Sequence, residues 1–249
     1  MKFDVLTLFP EMILDACSHS IISRALANGI IQVNAINPRD FSKDKHKKVD
    51  DTPFGGGAGM VLMCQPYFDA FDSIKKDENT RVLLMSPQGK TFDQKLACEL
   101  AKFEHIVLMC GHYEGFDERI KKYTLAEEIS LGDFVLTGGE LPALCVIDSV
   151  SRNLAGCLGK IDSAQFDSFS DGLLEHPHYT KPRIYEGMPV PEVLCEGNHS
   201  KINLWRRKQQ IIVTKKKRPD LYDKFKKNCK DKSDLKLLNE VEKEFIDYN

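Results

Sequence analysis

The chain has 249 residues, 42% of them apolar, enough to bury the core of one large domain or two modest ones. No stretch approaches the roughly 20 consecutive apolar residues of a membrane span, and the run MKFDVLTLFPEM carries Asp4 and no cleavage pattern, so a cytoplasmic protein without membrane contact is expected. The formal charge of −2 hides an asymmetry, because 15 Lys and Arg stand against 8 Asp and Glu after residue 200, and 20 against 29 before it. A basic tail on an acidic body suits a polyanion such as nucleic acid, although a solvated helical face gives the same count.

Phe3 to Phe9 reads as a first strand, Glu11 to Asn28 as a helix that Gly29 ends, and Ile31 to Ile36 as a second strand. A polar connection holding Lys43, Lys45, His46, Lys47 and Lys48 then leads into Gly55-Gly56-Gly57-Ala58-Gly59. Four glycines in five positions exclude a helix or strand interior, since each loses more backbone entropy on ordering than any other residue. The loop is either a flexible connector or a stretch of exposed backbone, and the lysines before it suit phosphates and nucleotides. No G-K-[ST] follows, which removes the phosphate-binding P-loop.

Gln65 to Lys76 reads as an amphipathic helix, Arg81 to Met85 as a third strand, Phe92 to Phe103 as a helix, and His105 to Cys110 as a strand buried on both faces. This alternation predicts an α/β domain with a parallel sheet covered by helices on both sides. Three turns fall at carboxyl ends of its strands: Ser86 to Gly89, Gly111 to Gly115, and Leu131 to Gly139. Ligands of open parallel sheets bind outside those ends, so the three turns predict one pocket. The helix Leu141 to Gly156 is apolar nearly all round, which places it in a core or a subunit interface. Arg152 near its end is either a cation favoured by the helix dipole or a functional charge.

Lys160 to Leu174 is polar and rich in small residues. The expected division is therefore a domain over 1–160, a mobile linker over 161–175, and a small helical, basic domain over 176–249. Asp167 lies in the linker between Phe166 and Phe169, where aromatic neighbours would raise its pKa toward that of a general base; a solvated aspartate is the plainer reading. His176-Pro177-His178 lacks partner ligands at zinc spacing. Helices follow over 200–214, 219–229 and 234–247, and the first runs out in Lys215-Lys216-Lys217-Arg218. The eight cysteines contain no C-x-x-C pair and read as buried reduced thiols.

Nine motifs carry a further pattern: Val5 to Met12, Pro38-Arg39-Asp40-Phe41, Val49-Asp50-Asp51, Gly55 to Met60, Ser86-Pro87-Gln88-Gly89, Cys110 to Gly115, Gly132 to Pro142, Asp148 to Arg152, and Gly197-Asn198-His199. In this order they resemble the bacterial tRNA (guanine-N1)-methyltransferases that modify guanosine 37 beside the anticodon. The resemblance implies a SPOUT-class fold with a deep trefoil knot, a rare exception to ordinary chain connections. It implies S-adenosylmethionine as methyl donor, walled by Ser86, Pro87, Gln88, Gly89, Gly111, Tyr113, Glu114, Gly115, Leu131, Gly132, Asp133, Phe134, Val135, Leu136, Gly138, Gly139 and Pro142. Asp167 would take the proton from guanine N1 and Arg152 would stabilise charge on O6, in a reaction that uses Mg²⁺. His46, Asp50, Gly57 and Gly59 would hold a tRNA with guanosine at positions 36 and 37, Lys215, Lys216, Lys217 and Arg218 would grip its phosphates, and a homodimer would complete the site. Three positions depart from the pattern: Ala58 where proline is common, and His112 and Lys181 where arginine is common. A related enzyme on another RNA and a cofactor-free RNA-binding protein remain as alternatives.

Overall fold

The computed structural model describes residues 1–158 and 167–246, whose contacts fall into two compact units divided after Ile161. The strands of the first unit are β1 (Lys2–Leu6), β2 (Gln32–Ile36), β3 (Asp50–Asp51), β4 (Val61–Leu62), β5 (Thr80–Thr91), β6 (His105–Met109) and β7 (Glu127–Ser130). Five of them form one sheet in the order β2-β1-β6-β5-β7, with every pair parallel. Alternation along β6 feeds two cores. Ile106 and Leu108 join Phe3, Val5, Leu96, Val146 and Ile147 on one face, and Val107 and Met109 join Leu6, Tyr67, Leu84 and Ile120 on the other. A strand buried on both faces must be apolar throughout, which is why β6 reads as an unbroken run. Each fully buried aliphatic side chain here contributes about 1.5–3 kcal/mol.

The covering helices are α1 (Pro10–Cys17), α2 (Ser20–Ala27), α3 (Cys64–Asp72), α4 (Gln94–Leu100), α5 (Glu118–Thr124) and α6 (Glu140–Ser151). The single helix expected over 11–28 is two. Ser18 turns its hydroxyl back to the Asp15 carbonyl at 2.7 Å, and Ser20 takes a positive φ of 55°, so local hydrogen bonding breaks the helix at this junction. The third strand also runs past its expected end. Met85 and Lys90 both pair with Ile129 of β7, so residues 86–89 loop out of β5 and the ladder resumes at Lys90. Helix α5 escaped the periodicity reading because it is only seven residues long; its signal is Asp117, whose carboxylate accepts the Arg119 N–H at 2.9 Å as an N-cap.

The second unit holds α7 (His199–Lys217), α8 (Pro219–Asn228) and α9 (Lys232–Ile246), with a short hairpin of β8 (Ile184–Tyr185) and β9 (Met188–Pro189). Its core is Leu173, Ile211, Tyr222, Leu237, Leu238 and Val241. Within the stretch 161–175, residues 161–166 lie outside the described residues, while 167–175 are tied into this unit. Leu173 is buried in its core, the Leu174 N–H donates to Thr214 Oγ1 at 2.8 Å, and Asp171 pairs with Arg207. The cysteines are all unpaired, as expected, but only Cys17, Cys110 and Cys157 are buried; Cys98, Cys145 and Cys195 are exposed. Among the described residues no helix is long and apolar enough to cross a membrane.

Candidate active site

At the carboxyl edge of the sheet, the loop-out of β5 and the turns after β6 and β7 enclose a cavity of about 420 Å³. Ser86, Pro87, Gln88, Gly111, Tyr113, Glu114, Gly115, Leu131, Gly132, Phe134, Val135, Leu136, Gly138, Gly139 and Pro142 line it. Gly89 and Asp133 do not. A Cβ at Gly89 would overlap the backbone of Glu128 and Ile129, and Asp133 is exposed. His112, Phe116, Glu118, Lys121 and Thr137 also line the cavity; two of these, Glu118 and Lys121, come from the unanticipated α5.

Close backbone approach holds the turns together. The Gly139 N–H donates to the Gly111 carbonyl at 2.8 Å, and a Cβ at 139 would stand 2.6 Å from Cys110 Cα and 2.8 Å from Gly111 N. Only glycine lets the start of α6 lie against the end of β6. Tyr113 holds a positive φ of 57°, a strained conformation that clusters at ligand sites. The Tyr67 hydroxyl braces the same turn from below by donating to the Cys110 carbonyl at 3.3 Å.

The charges around the cavity are fixed by partners. Glu140 is buried in the first turn of α6 and accepts from Thr7 Oγ1 at 2.7 Å, a placement that the helix dipole favours. Burial alone would lower the pKa of Lys121, but Glu128 at 3.1 Å and Glu118 at 3.3 Å reverse this and hold it above the ordinary lysine value. Burial, with Glu140 nearby, pushes the Cys110 thiol well up, so it is no thiolate nucleophile. His112 Nδ1 is buried without a hydrogen-bond partner.

The glycine-rich stretch forms an arm standing on this wall. β3 and β4 pair antiparallel at its base, the Glu114 N–H donates to the Met60 carbonyl, and the Leu62 N–H donates to the Gly115 carbonyl, both at 2.9 Å. Gly59 lies so close to the Glu114 side chain that a Cβ would overlap it. His46 is exposed, Asp50 is half-buried in β3, and Gly57 has a positive φ of 130°.

Residues 1–224 match the family described as tRNA (Guanine-1)-methyltransferase TrmD. The chain belongs to this family. The tRNA (guanine-N(1)-)-methyltransferase of a Staphylococcus epidermidis strain is 55% identical over 235 residues, covering 94% of this chain and 96% of the relative. That of Staphylococcus carnosus is 54% identical over 244 residues (98% of each), and that of Dehalococcoides mccartyi 51% over 243 residues (97% of each).

The remaining residues of interest in this tRNA (Guanine-1)-methyltransferase family member lie apart in the chain. Arg152 is the half-buried C-cap of α6, its N–H donating to the Asp148 carbonyl at 3.1 Å. Asp167 belongs to the second unit and is half-buried, and its carbonyl accepts from the Ser170 N–H (3.2 Å) and hydroxyl (2.7 Å). In the basic tail, Lys215 approaches Glu242 at 3.5 Å and lies over the Tyr222 ring, Arg218 is paired with Asp220, and Lys216, Lys217 and Arg218 are all exposed. Glu175, the residue just before His176, joins the two histidines as a third candidate ligand. Glu175 Oε1 is 2.8 Å from His178 Nε2, and one ligand atom from each of the three residues falls within 4.8 Å of the others.

Proposed function

We propose that this protein is a cytoplasmic homodimer that transfers a methyl group from S-adenosylmethionine to N1 of guanosine 37 in tRNAs carrying guanosine at positions 36 and 37. The carrying observation is the convergence of three motif-bearing turns on one cavity of about 420 Å³, within the range of small-molecule sites. The donor fits that space by its chemistry. Backbone amides and carbonyls of the turns suit a nucleoside, and Glu114 on the wall suits a cation. When bound, it supplies an electrophilic methyl on a sulfonium.

Guanine N1 carries a proton at neutral pH and is a poor nucleophile until the proton leaves, so the chain must supply a base. Asp167 is assigned that role, accepting the N1 proton, while the Arg152 guanidinium stabilises negative charge developing on O6. Asp167 would serve the cavity of the partner protomer. Support for a dimer comes from the apolar surface around the cavity lip. Phe9, Met12, Phe134, Val135 and Leu141 are 41–87% exposed, and a second hollow of about 220 Å³ lies among Phe9, Met12 and Leu141.

We read the connection after β7 as the threaded part of a trefoil knot, supported by the seating of Gly139 on Cys110 and Gly111. The second unit is read as a helical tRNA-binding domain, and the two units as catalytic and RNA-binding domains joined near residues 161–175. Mg²⁺, which the resemblance implies, would be held by one or two carboxylates together with RNA phosphates, whereas the Glu175, His176, His178 cluster, with its two imidazoles, does not suit a cation that takes oxygen ligands.

Mass spectrometry of a tRNA transcript incubated with the protein and labelled S-adenosylmethionine tests the reading, and label absent from guanosine 37 rejects it. Asp167→Ala is expected to keep donor affinity and lose roughly 10²–10⁴-fold in single-turnover transfer. A near-normal rate would remove Asp167 from the base role.

A further inference from the structure

Phe54 is fully exposed, at 101%, the highest value among the large apolar side chains. A phenylalanine gains nothing from water, so its placement at the tip of the arm calls for an occupant. The arm is built to present it. The Gly56 N–H donates to the Pro53 carbonyl at 3.3 Å, closing a turn in which Phe54 and Gly55 are the central residues, and Gly55 has a φ of +86°. A positive φ at that place is what a type II turn demands, and glycine supplies it without strain. Nothing lies within 4 Å of a Cβ built at Gly55 or Gly56, so the tip rests on no neighbour.

The other end of the arm is clamped. Met60 and Leu62 are bonded to the backbone of Glu114 and Gly115 on the cavity wall. Phe54 is five residues from Gly59, so its reach from that wall is at most roughly 17 Å of extended chain. Exposed Lys43, Lys45, Lys47 and Lys48 precede the arm in sequence; Lys43 and Lys47 are partly neutralised by Asp69 and Asp40. An exposed aromatic ring on a chain segment that follows a run of exposed lysines is a combination that suits an unpaired nucleotide, with the ring taking the base face and the cations the phosphates.

We propose that Phe54 stacks on an unpaired base next to the target guanosine and so holds the target over the cavity. This rests on the RNA-methylating reading above and adds to it a substrate-contacting residue that no motif assigned. The turn sets the ring orientation and the clamped stem sets its distance, so the contact selects for a base flipped clear of its neighbours rather than for base identity.

The test uses the full-length protein and a tRNA transcript that keeps guanosine at positions 36 and 37 and carries 2-aminopurine at position 38, the other neighbour of the target. Phe54→Ala is expected to weaken tRNA affinity roughly ten- to a hundredfold, the usual worth of one base–aromatic stack. It should abolish the quenching of 2-aminopurine on binding, with donor affinity and the salt slope unchanged. Phe54→Trp should restore both signals and Phe54→Leu neither, since leucine keeps the apolar volume without the π face. The proposal is overturned if Phe54→Ala binds within twofold of the parent, or if Phe54→Leu matches Phe54→Trp, the result expected of an apolar contact with a protein partner. Parent protein that binds and quenches but transfers no methyl would reject the methyltransferase reading and leave the stacking intact.

Discussion

At the amino ends of the central strands, Asp4 accepts from Lys2 at 2.6 Å, from Asn34 at 2.8 Å and faces His105 Nε2 at 2.9 Å, and His105 Nδ1 reaches Thr80 at 3.1 Å. Four strands are thereby stitched by side chains. At the carboxyl ends of the same strands, the contacts between turns are made by backbone and glycine, and the space left is a cavity. The buried side-chain network that fixes strand register thus lies away from the cavity, where ligand entry does not disturb it.

Substitutions at the two ends should therefore fail differently. The largest effect is expected at Gly139→Ala, where the new Cβ meets backbone atoms that cannot swing away. Donor affinity measured by calorimetry should fall more than tenfold, with about 2 kcal/mol lost from stability as the turns are forced apart. Unchanged affinity would mean that the two turns separate freely. Asp4→Ala should do the reverse, lowering stability by about 3 kcal/mol in denaturant while a protein kept folded binds the donor normally.

The same aspartate carries a pH signature. Burial alone would raise its pKa, but the hydrogen bonds from Lys2, Asn34 and His105 overcome that and hold it below the ordinary carboxylate value. A depressed folded pKa contributes stability that is present above the unfolded pKa and lost as pH falls through the folded one. The stability gap between the parent and Asp4→Asn should thus be constant near neutrality and close below about pH 4. A gap that persists at lower pH would show that the network does not depend on the charge. The smallest effect concerns charges that are exposed instead of buried. Replacing Lys216 and Lys217 with glutamine should flatten the slope of log tRNA affinity against log salt by about 1.5, at roughly 0.7–0.9 per cation. Replacing Lys215, already beside Glu242, should change it less.

Much of the sheet was legible along the chain because its causes are local. The apolar run of β6 and the glycine that ends the helix before β2 each depend on a handful of neighbours in sequence. The break at Ser18 to Ser20 and the seven-residue α5 were missed because a short helix offers too few turns for periodicity to register. In the candidate site, the turn glycines were visible, but Glu118 and Lys121 on the cavity wall were not, since nothing in their spacing points to a turn 30 residues earlier.

The amino-acid order by itself determined the turn chemistry, the strand-helix alternation and the basic bias of the tail, all of which follow from backbone preference and charge counted over short windows. Only the tertiary structure decided that residues 86–89 loop out of a continuing β5, that α5 adds Glu118 and Lys121 to the cavity wall, that Phe54 stands exposed on a clamped arm, and that Lys215 and Arg207 are held by acidic partners within their own unit. These are contacts between distant residues, and their energies depend on which surfaces the fold removes from water and which it leaves exposed.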